Sequence, residues 1–384
     1  MPAFLLYINQ PADNQSSIQI PGTIFFSASP FKFENGTLVI TDNQPSDSSP
    51  NSIKRRIENY LKVKANAVNT LKSQCVINKE CIDGEKTTID YNIVKEKVSK
   101  SFPAKLTSST KIKVYNVGQA NCIYLHKNPN YGRILIDVGI DKSWIKNNTI
   151  KPSHDFVSRN FDYINRIKPN IVILSHWDLD HILGVCLLKE KIFPVVWLAP
   201  DISQREPVPI GALRLAYYLY LCNKLLMVGH SFDRELFWEN NCISIYKGES
   251  YLKNHLKDNE IANNHGLIVK LKFNNLDMVF PGDCMYDAWP DSIHIKSHQY
   301  DFLMIPHHGS ANNNLETPNC IHDAMKHIYA VCSYGKGNPH GHPDYKGHLE
   351  TLKTEYGYKI YETPNCQYIE ISSKNNSHIK INVK

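Results

Sequence analysis

Ile171-Val172-Ile173-Leu174-Ser175-His176-Trp177-Asp178-Leu179-Asp180-His181 begins as an unbroken apolar run and ends as a cluster of polar side chains. The first four residues read as a buried strand: short, rich in β-branched side chains and uninterrupted. Over 175–181 the chain then places two imidazoles and two carboxylates, His176, Asp178, Asp180 and His181. Carboxylates so close to a buried strand are costly unless something pairs them. Imidazole together with carboxylate suits a borderline or hard divalent metal.

Three later segments repeat the form. Met278-Val279-Phe280-Pro281 runs into Gly282-Asp283, and Phe302-Leu303-Met304-Ile305-Pro306 runs into His307-His308-Gly309-Ser310. Ile328–Cys332 leads to Ser333-Tyr334-Gly335 and on to Gly341-His342-Pro343. Each is an apolar strand, a turn residue and then a side chain able to bind a metal. Ligands bind beyond the carboxyl ends of strands in α/β sheets, so these ends are expected to converge on one cleft. His-His-Gly-Ser alone is a weak signal; four such ends in order are a strong one. No Gly-x-Ser-x-Gly occurs, so a serine nucleophile on a strand-to-helix elbow is not expected, and Ser310 does not supply one.

The rest of the chain supports a layered α/β protein. Strands are expected at Ile112–Val117, Asn121–His126, Arg133–Val138, Val195–Ala199, Cys242–Tyr246, Leu267–Phe273, Lys359–Thr363 and Tyr368–Ser372. Helices are expected from Asp180 to about Lys191 and near Leu213–Met227. Upstream, Phe4–Ile8, Thr23–Ser27 and Thr37–Thr41 read as short strands, with a hairpin signal at Asn35-Gly36. Ile57, Tyr60, Leu61, Val63, Ala67, Val68 and Leu71 recur at helical spacing, as a packed helix with a solvated basic face. The texture changes near 100–110, which divides the chain into an N-terminal β/α module, 1–105, and a second domain, 106–384.

Composition sets the outer limits. With 384 residues the chain has room for about two domains. The longest apolar stretch, Ala216–Val228, is interrupted by Asn223-Lys224, so a membrane span is not expected. The ten cysteines are scattered singly without a C-x-x-C pair, and no charged leader precedes the first apolar residues. Reduced thiols and a cytoplasmic protein are expected. A formal net charge of +6 suits a polyanionic partner without identifying one.

The ordered motifs resemble those of the metallo-β-lactamase fold, and more closely those of the ComEC-like hydrolase domains of DNA-uptake proteins. The resemblance is carried by Val114–Ala120, Ile134–Gly139, the His-x-Asp-x-Asp-His run from His176 to His181, Gly282-Asp283, Pro306–Ser310 and Asn338–Pro343, over about Lys111 to Ile371. It implies an αββα metallo-β-lactamase sandwich, α/β in class, carrying a metal cleft at one edge, with the N-terminal β/α module added. It further implies two divalent metal ions, manganese or zinc, with magnesium as a third candidate. His176 and Asp178 would hold the first ion, and Asp180, His181 and one of His307 or His308 the second, with Asp283 bridging. The strand-Pro-x-His spacing favours His308. His342 is a candidate for the first metal or for the scissile phosphate. Asp180, Asp283 and His342 are the expected catalytic residues, and Asp137 is expected to anchor the motif from behind.

This chain departs from the broader pattern at Asp178, where many metallo-β-lactamases carry histidine. The harder ligand shifts preference toward manganese or magnesium. His265, in Asn263-Asn264-His265-Gly266, reads as a surface-loop histidine, with a ligand role as the alternative. The resemblance implies a metal-dependent nuclease or phosphodiesterase acting on DNA more than RNA. The alternatives are a small-molecule phosphodiesterase or other hydrolase of this fold, and a non-catalytic scaffold in a multi-protein system such as defence. Lys336, His340, Lys346 and His348 are candidates to meet phosphates, and residues 1–105 to bind a protein partner.

Overall fold

Alternation at a period of two decides which face each strand buries. In the computed structural model, Ile134 and Ile136 face one apolar cluster while Leu135 faces another; Ile171 and Ile173 are likewise separated from Val172. In the second half, Val269 and Leu271 share the first of these clusters, whereas Ile268 joins a third. Two sheets therefore enclose one core and each packs its outer face under further chain. The result is four layers, αββα, as the motif order implies.

The structure describes residues 31–34, 37–40, 91–102, 106, 109–126, 132–146, 149–150, 152–189, 192–202, 209–222, 224–249, 262–273, 275–313, 315, 318, 327–374 and 378–384. The expected strands at Phe4–Ile8 and Thr23–Ser27 and the helix over 53–71 lie outside them. A hairpin pairs β1 (Phe31–Glu34) with β2 (Thr37–Ile40) antiparallel, Glu34 opposite Thr37, on either side of Asn35-Gly36. Helix α1 (Tyr91–Ser101) follows, and its Val98, with Phe102 and Leu106 beyond, enters the core between the sheets. Phe102 stacks on Trp238 at 4.6 Å, and the Trp238 indole donates to Ser99 Oγ at 3.2 Å.

The first sheet contains β3 (Lys111–Tyr115), β4 (Ile123–His126), β5 (Ile134–Ile136), β8 (Ile171–Ile173), β9 (Val196–Pro200), β10 (Leu225–Val228), β18 (Tyr368–Lys374) and β19 (His378–Val383). Its order is β10-β9-β8-β5-β4-β3-β18-β19. A small hairpin, β6 (Ile145–Lys146) with β7 (Thr149–Ile150), and helix α2 (Asp155–Ile167) connect β5 to β8, which run parallel. The second sheet is ordered β11-β12-β13-β14-β15-β16-β17. Its strands are β11 (Leu236–Glu239), β12 (Ile243–Lys247), β13 (Leu267–Phe273), β14 (Leu276–Phe280), β15 (Phe302–Met304), β16 (Tyr329–Cys332) and β17 (Lys359–Glu362). From β14 to β17 neighbouring strands are parallel, so β14, β15 and β16 end on the same side.

Two expected helices are corrected. The segment over 213–227 is helix α4 (Ile210–Leu221) followed by strand β10, which pairs Leu225 with Trp197 and Val228 with Pro200. An apolar run does not distinguish helix from strand by periodicity, and sheet pairing at the edge decided it. The helix expected from Asp180 to Lys191 is a single turn, α3 (Leu179–Ile182), then a 3-10 segment, Leu183–Leu187. Gly184 lets this segment lie close against α2, since a Cβ there would lie 2.5 Å from the Phe161 ring. Helix α5 (His348–Thr354) covers the second sheet, with Leu349 and Leu352 in its outer cluster. No disulfide joins the cysteines of the described residues. Among the same residues no helix is long and apolar enough to cross a membrane.

Candidate metal centre

Asp137 closes β5 in a left-handed conformation (φ 55°) and turns its carboxylate across to the end of β8. There Oδ1 accepts from the Ser175 backbone N–H at 2.7 Å, and Oδ2 accepts from Ser175 Oγ at 2.8 Å and from His181 Nδ1 at 2.8 Å. Ser175 Oγ in turn lies 3.1 Å from His176 Nδ1. On the second sheet, His308 Nδ1 donates to the Ser333 carbonyl at 2.7 Å. Carboxylates and carbonyls only accept, so the Nδ1 atoms of His181 and His308 carry the protons. The Nε2 atoms are thereby aimed inward, the arrangement typical of metal-ligating histidines.

The inner atoms converge. His181 Nε2 lies 3.1 Å from Asp283 Oδ1, and His308 Nε2 lies 3.3 Å from Asp180 Oδ2 and 3.6 Å from Asp283 Oδ2. His176 Nε2 is 3.8 Å from Asp178 Oδ2 and 3.9 Å from Asp283 Oδ2. Asp180, His181, Asp283 and His308 each offer a ligand atom within 4.8 Å of the others. His181 Nε2 and Asp283 Oδ1 are buried, face one another and make no hydrogen bond. With His181 neutral this is a lone pair facing a carboxylate oxygen out of water, which a bound cation relieves; with His181 protonated the shared proton stands where a metal ion would bind. The donor set therefore fits a divalent metal. Imidazole suits zinc and carboxylate suits manganese, and Asp178 beside this set adds a further hard ligand.

Charge coupling points the same way. Burial would push the Asp180 carboxyl up, but His181 and a hydrogen bond with His308 outweigh it and hold it at about 2. Burial would also raise Asp283, yet His181 and His308 keep it well below the ordinary carboxylate range. Burial would lower His181, and Asp283 with Asp137 hold it well above its ordinary value. His308 is raised against burial by Asp283 and Asp180. The carboxylates are thus ionised and the imidazoles cation-stabilised by one another, a charge pattern ready to exchange shared protons for metal.

Backbone conformation sets the second edge. His307 (φ 48°, ψ 45°) and His308 (φ 53°, ψ 24°) are consecutive left-handed residues, followed by Gly309 (φ 79°). Such non-glycine residues cost about 1–3 kcal/mol each and cluster at functional sites. The twist separates the two imidazoles: His308 turns into the acidic group, while His307 Nε2 lies 3.3 Å from Asn263 Nδ2. Burial lowers His307. Its ring centroid is 5.3 Å from that of His342, which is half-buried and held down at about 4 by burial and the nearby His307 and His308. His307 and His342 therefore stand beside the four-residue group rather than within it. Asp178 lies at its outer side, beside His176.

His265 is not a surface residue. It is 3% exposed, in a turn over 262–266 tied to the first edge by Leu267 N–H donating to the Ser175 carbonyl at 2.7 Å. Asn263 and Asn264 before it are buried as well, and Asn264 Oδ1 accepts from the Met285 N–H at 3.1 Å. Lys336, His340 and Lys346 lie exposed on the loop after β16. His348 differs: it is buried, accepts from Tyr286 Oη through Nε2 and donates through Nδ1 to the Ser310 carbonyl. It supports the histidine turn from below and is withdrawn from any phosphate.

Residues 115–219 match the model of the metallo-beta-lactamase superfamily. No curated protein matches the chain. Among solved structures, a diphosphatase of the PhnP family is similar with 12% identity and a TM-score of 0.36, covering 69% of this chain and 98% of its own. A protein assigned as a metal-dependent hydrolase from Parabacteroides distasonis is similar with 13% identity and a TM-score of 0.36, covering 67% of this chain and 95% of its own. An N-acyl homoserine lactone lactonase is similar with 12% identity and a TM-score of 0.32, covering 47% and 76%.

Proposed function

We propose that this chain is a metal-dependent phosphodiesterase of the ComEC-like kind, a nuclease acting on DNA in preference to RNA. The observation that supports it most is the acidic character of the centre: Asp178, Asp180 and Asp283 join His176, His181 and His308 around one space. His176, Asp178 and Asp283 would hold one divalent ion, and Asp180, His181, Asp283 and His308 the other. Three carboxylates among these ligands favour manganese over zinc. Bound there, the ions would supply a hydroxide at neutral pH and neutralise charge on a phosphoryl oxygen.

The protein's own groups do the positioning. Asp180, whose side chain is 33% exposed, is the carboxylate that reaches the attacking water and orients it. Asp137 holds His181 in one tautomer, and Ser333 does the same for His308. His342, at the mouth, meets the scissile phosphate. Lys336, His340 and Lys346 on the adjoining loop attract the flanking phosphates, which makes binding salt-dependent. Residues 1–105 are proposed to hold a protein partner, and the free cysteines among the described residues fit a reducing cytoplasm.

The test is cleavage of single-stranded and plasmid DNA in manganese, with bis-p-nitrophenyl phosphate as a small ester. DNA is expected to be degraded by the wild type and left intact by Asp180→Ala. Turnover of the ester alone would overturn the nuclease assignment in favour of a small-molecule phosphodiesterase.

A further inference from the structure

The loop from Tyr334 to Gly347 is braced at both ends and presents one aromatic ring to solvent. Asn338 Nδ2 donates to the carbonyls of Gly335 (2.8 Å) and His342 (2.6 Å), while its Oδ1 accepts from the His340 and His342 N–H groups. Asp344 N–H donates to the Gly309 carbonyl at 2.8 Å, fixing the loop against the turn that carries His307 and His308. Tyr345 follows directly. It is 48% exposed, and the other large apolar side chains so exposed among the described residues, Leu236 and Val383, are aliphatic.

An exposed tyrosine ordinarily samples several rotamers. This one is tethered through its hydroxyl, which lies 2.6 Å from Tyr334 Oη and donates to Glu362 Oε2 at 2.9 Å, with Tyr334 donating to the same carboxylate oxygen. The ring stands edge-on to that of Tyr334. The Asp344 carboxylate accepts from the Gly347 and His348 N–H groups, so the loop's own acids face its structure. The charges it turns to solvent are those of Lys336 and Lys346.

We propose that Tyr345 is a stacking platform for an unpaired base of single-stranded nucleic acid, with Lys336 and Lys346 holding the neighbouring phosphates. This rests on the nucleic-acid reading of the adjoining centre and names the form of its substrate: a strand whose bases are free to stack. A base stacks on any aromatic face, whereas a duplex offers none along its side. Holding the ring in place beforehand removes part of the ordering cost of binding.

Fluorescence anisotropy of a labelled oligodeoxythymidylate with the full chain, in chelator and at low salt, separates binding from cleavage. The wild type is expected to bind it. Tyr345→Ala is expected to weaken binding about tenfold, within the range for one base stacked on an aromatic side chain. Tyr345→Phe, which keeps the ring, is expected to lose less, and Lys336→Ala with Lys346→Ala to flatten the salt dependence. Turnover of bis-p-nitrophenyl phosphate by Tyr345→Ala is expected to match the wild type. A wild type that does not bind the oligonucleotide, or an alanine variant that binds it equally well, overturns the platform. An oligonucleotide that binds through Tyr345 but is never cut in manganese overturns the nuclease reading alone.

Discussion

At the edge of the first sheet the functional groups sit in one short segment and are steadied by hydrogen bonds to Asp137. At the edge of the second they come from three separate strand ends and are steadied by backbone conformation. The first arrangement holds side chains through other side chains: one carboxylate fixes Ser175 and, through it and directly, His181. The second holds them through positive φ at Gly282, His307, His308 and Gly309. A site can therefore be made rigid by partners or by strain, and the two are exposed to different kinds of damage.

The largest effect is expected where the edges meet. Asp283→Asn removes the one carboxylate that faces His176, His181 and His308, and turnover is expected to fall about a thousandfold, the several kcal/mol a bound cation contributes. Metal content measured by mass spectrometry should fall with it; full metal occupancy with intact turnover would remove Asp283 from the centre. Next comes Gly282→Ala. Gly282 has φ +60°, and a Cβ there would lie 2.3 Å from Ser175 Cβ and 2.4 Å from Ser175 Oγ. The left-handed backbone alone costs about 1–2 kcal/mol for an alanine, with the clash added. A lower melting temperature is expected, and unchanged stability would show that the edges are not in contact through this pair.

Asp137→Asn tests the first edge by itself. Losing a ligand's hydrogen-bonding partner typically costs about 10–100-fold in metal affinity or activity. A metal titration that matches the wild type would count against the anchor. The last effect, confined to a narrow range of pH, concerns the support beneath the second edge. Burial holds the His348 imidazole down at about 4, below the ordinary value near about 6.5. The unfolded chain therefore takes up this proton first, and stability is lost as pH falls from about 6.5 toward about 4, by up to about 3 kcal/mol. His348→Asn, which keeps a donor near Nδ1, should flatten that part of the stability curve relative to the wild type. Parallel curves would place the dependence elsewhere.

The two edges also differed in how plainly the sequence announced them. The run from His176 to His181 is contiguous, so its chemistry is visible without a fold. Gly282-Asp283 and His307-His308 gain meaning only when β14 and β15 are known to be parallel neighbours. The strand-Pro-x-His spacing favours His308, while the turn that sends the two imidazoles apart rests on two positive φ angles that no residue pattern specifies for histidine. His265 was misjudged for a related reason: a polar turn looks exposed until the strand end that covers it is in place. The α4–β10 boundary failed where helix and strand share one apolar alphabet and pairing with Trp197 made the decision. The strands β5, β8, β13 and β14 were the most legible part, because short apolar runs rich in β-branched residues and bounded by turn signals have few other places to go than a buried sheet.

Strands β18 and β19 have a consequence for how the chain is made. Tyr368 pairs with Tyr115 and Ser372 with Lys111, so the first sheet is completed by residues about 250 positions later in synthesis. Until they emerge, one side of β3 stands as an open template for any passing strand. Closure over so long a separation is entropically slow. The nascent protein thus has most of its metal-binding edge in hand before it has protection against pairing with its neighbours, and trimming β18 and β19 should yield aggregates rather than a smaller enzyme.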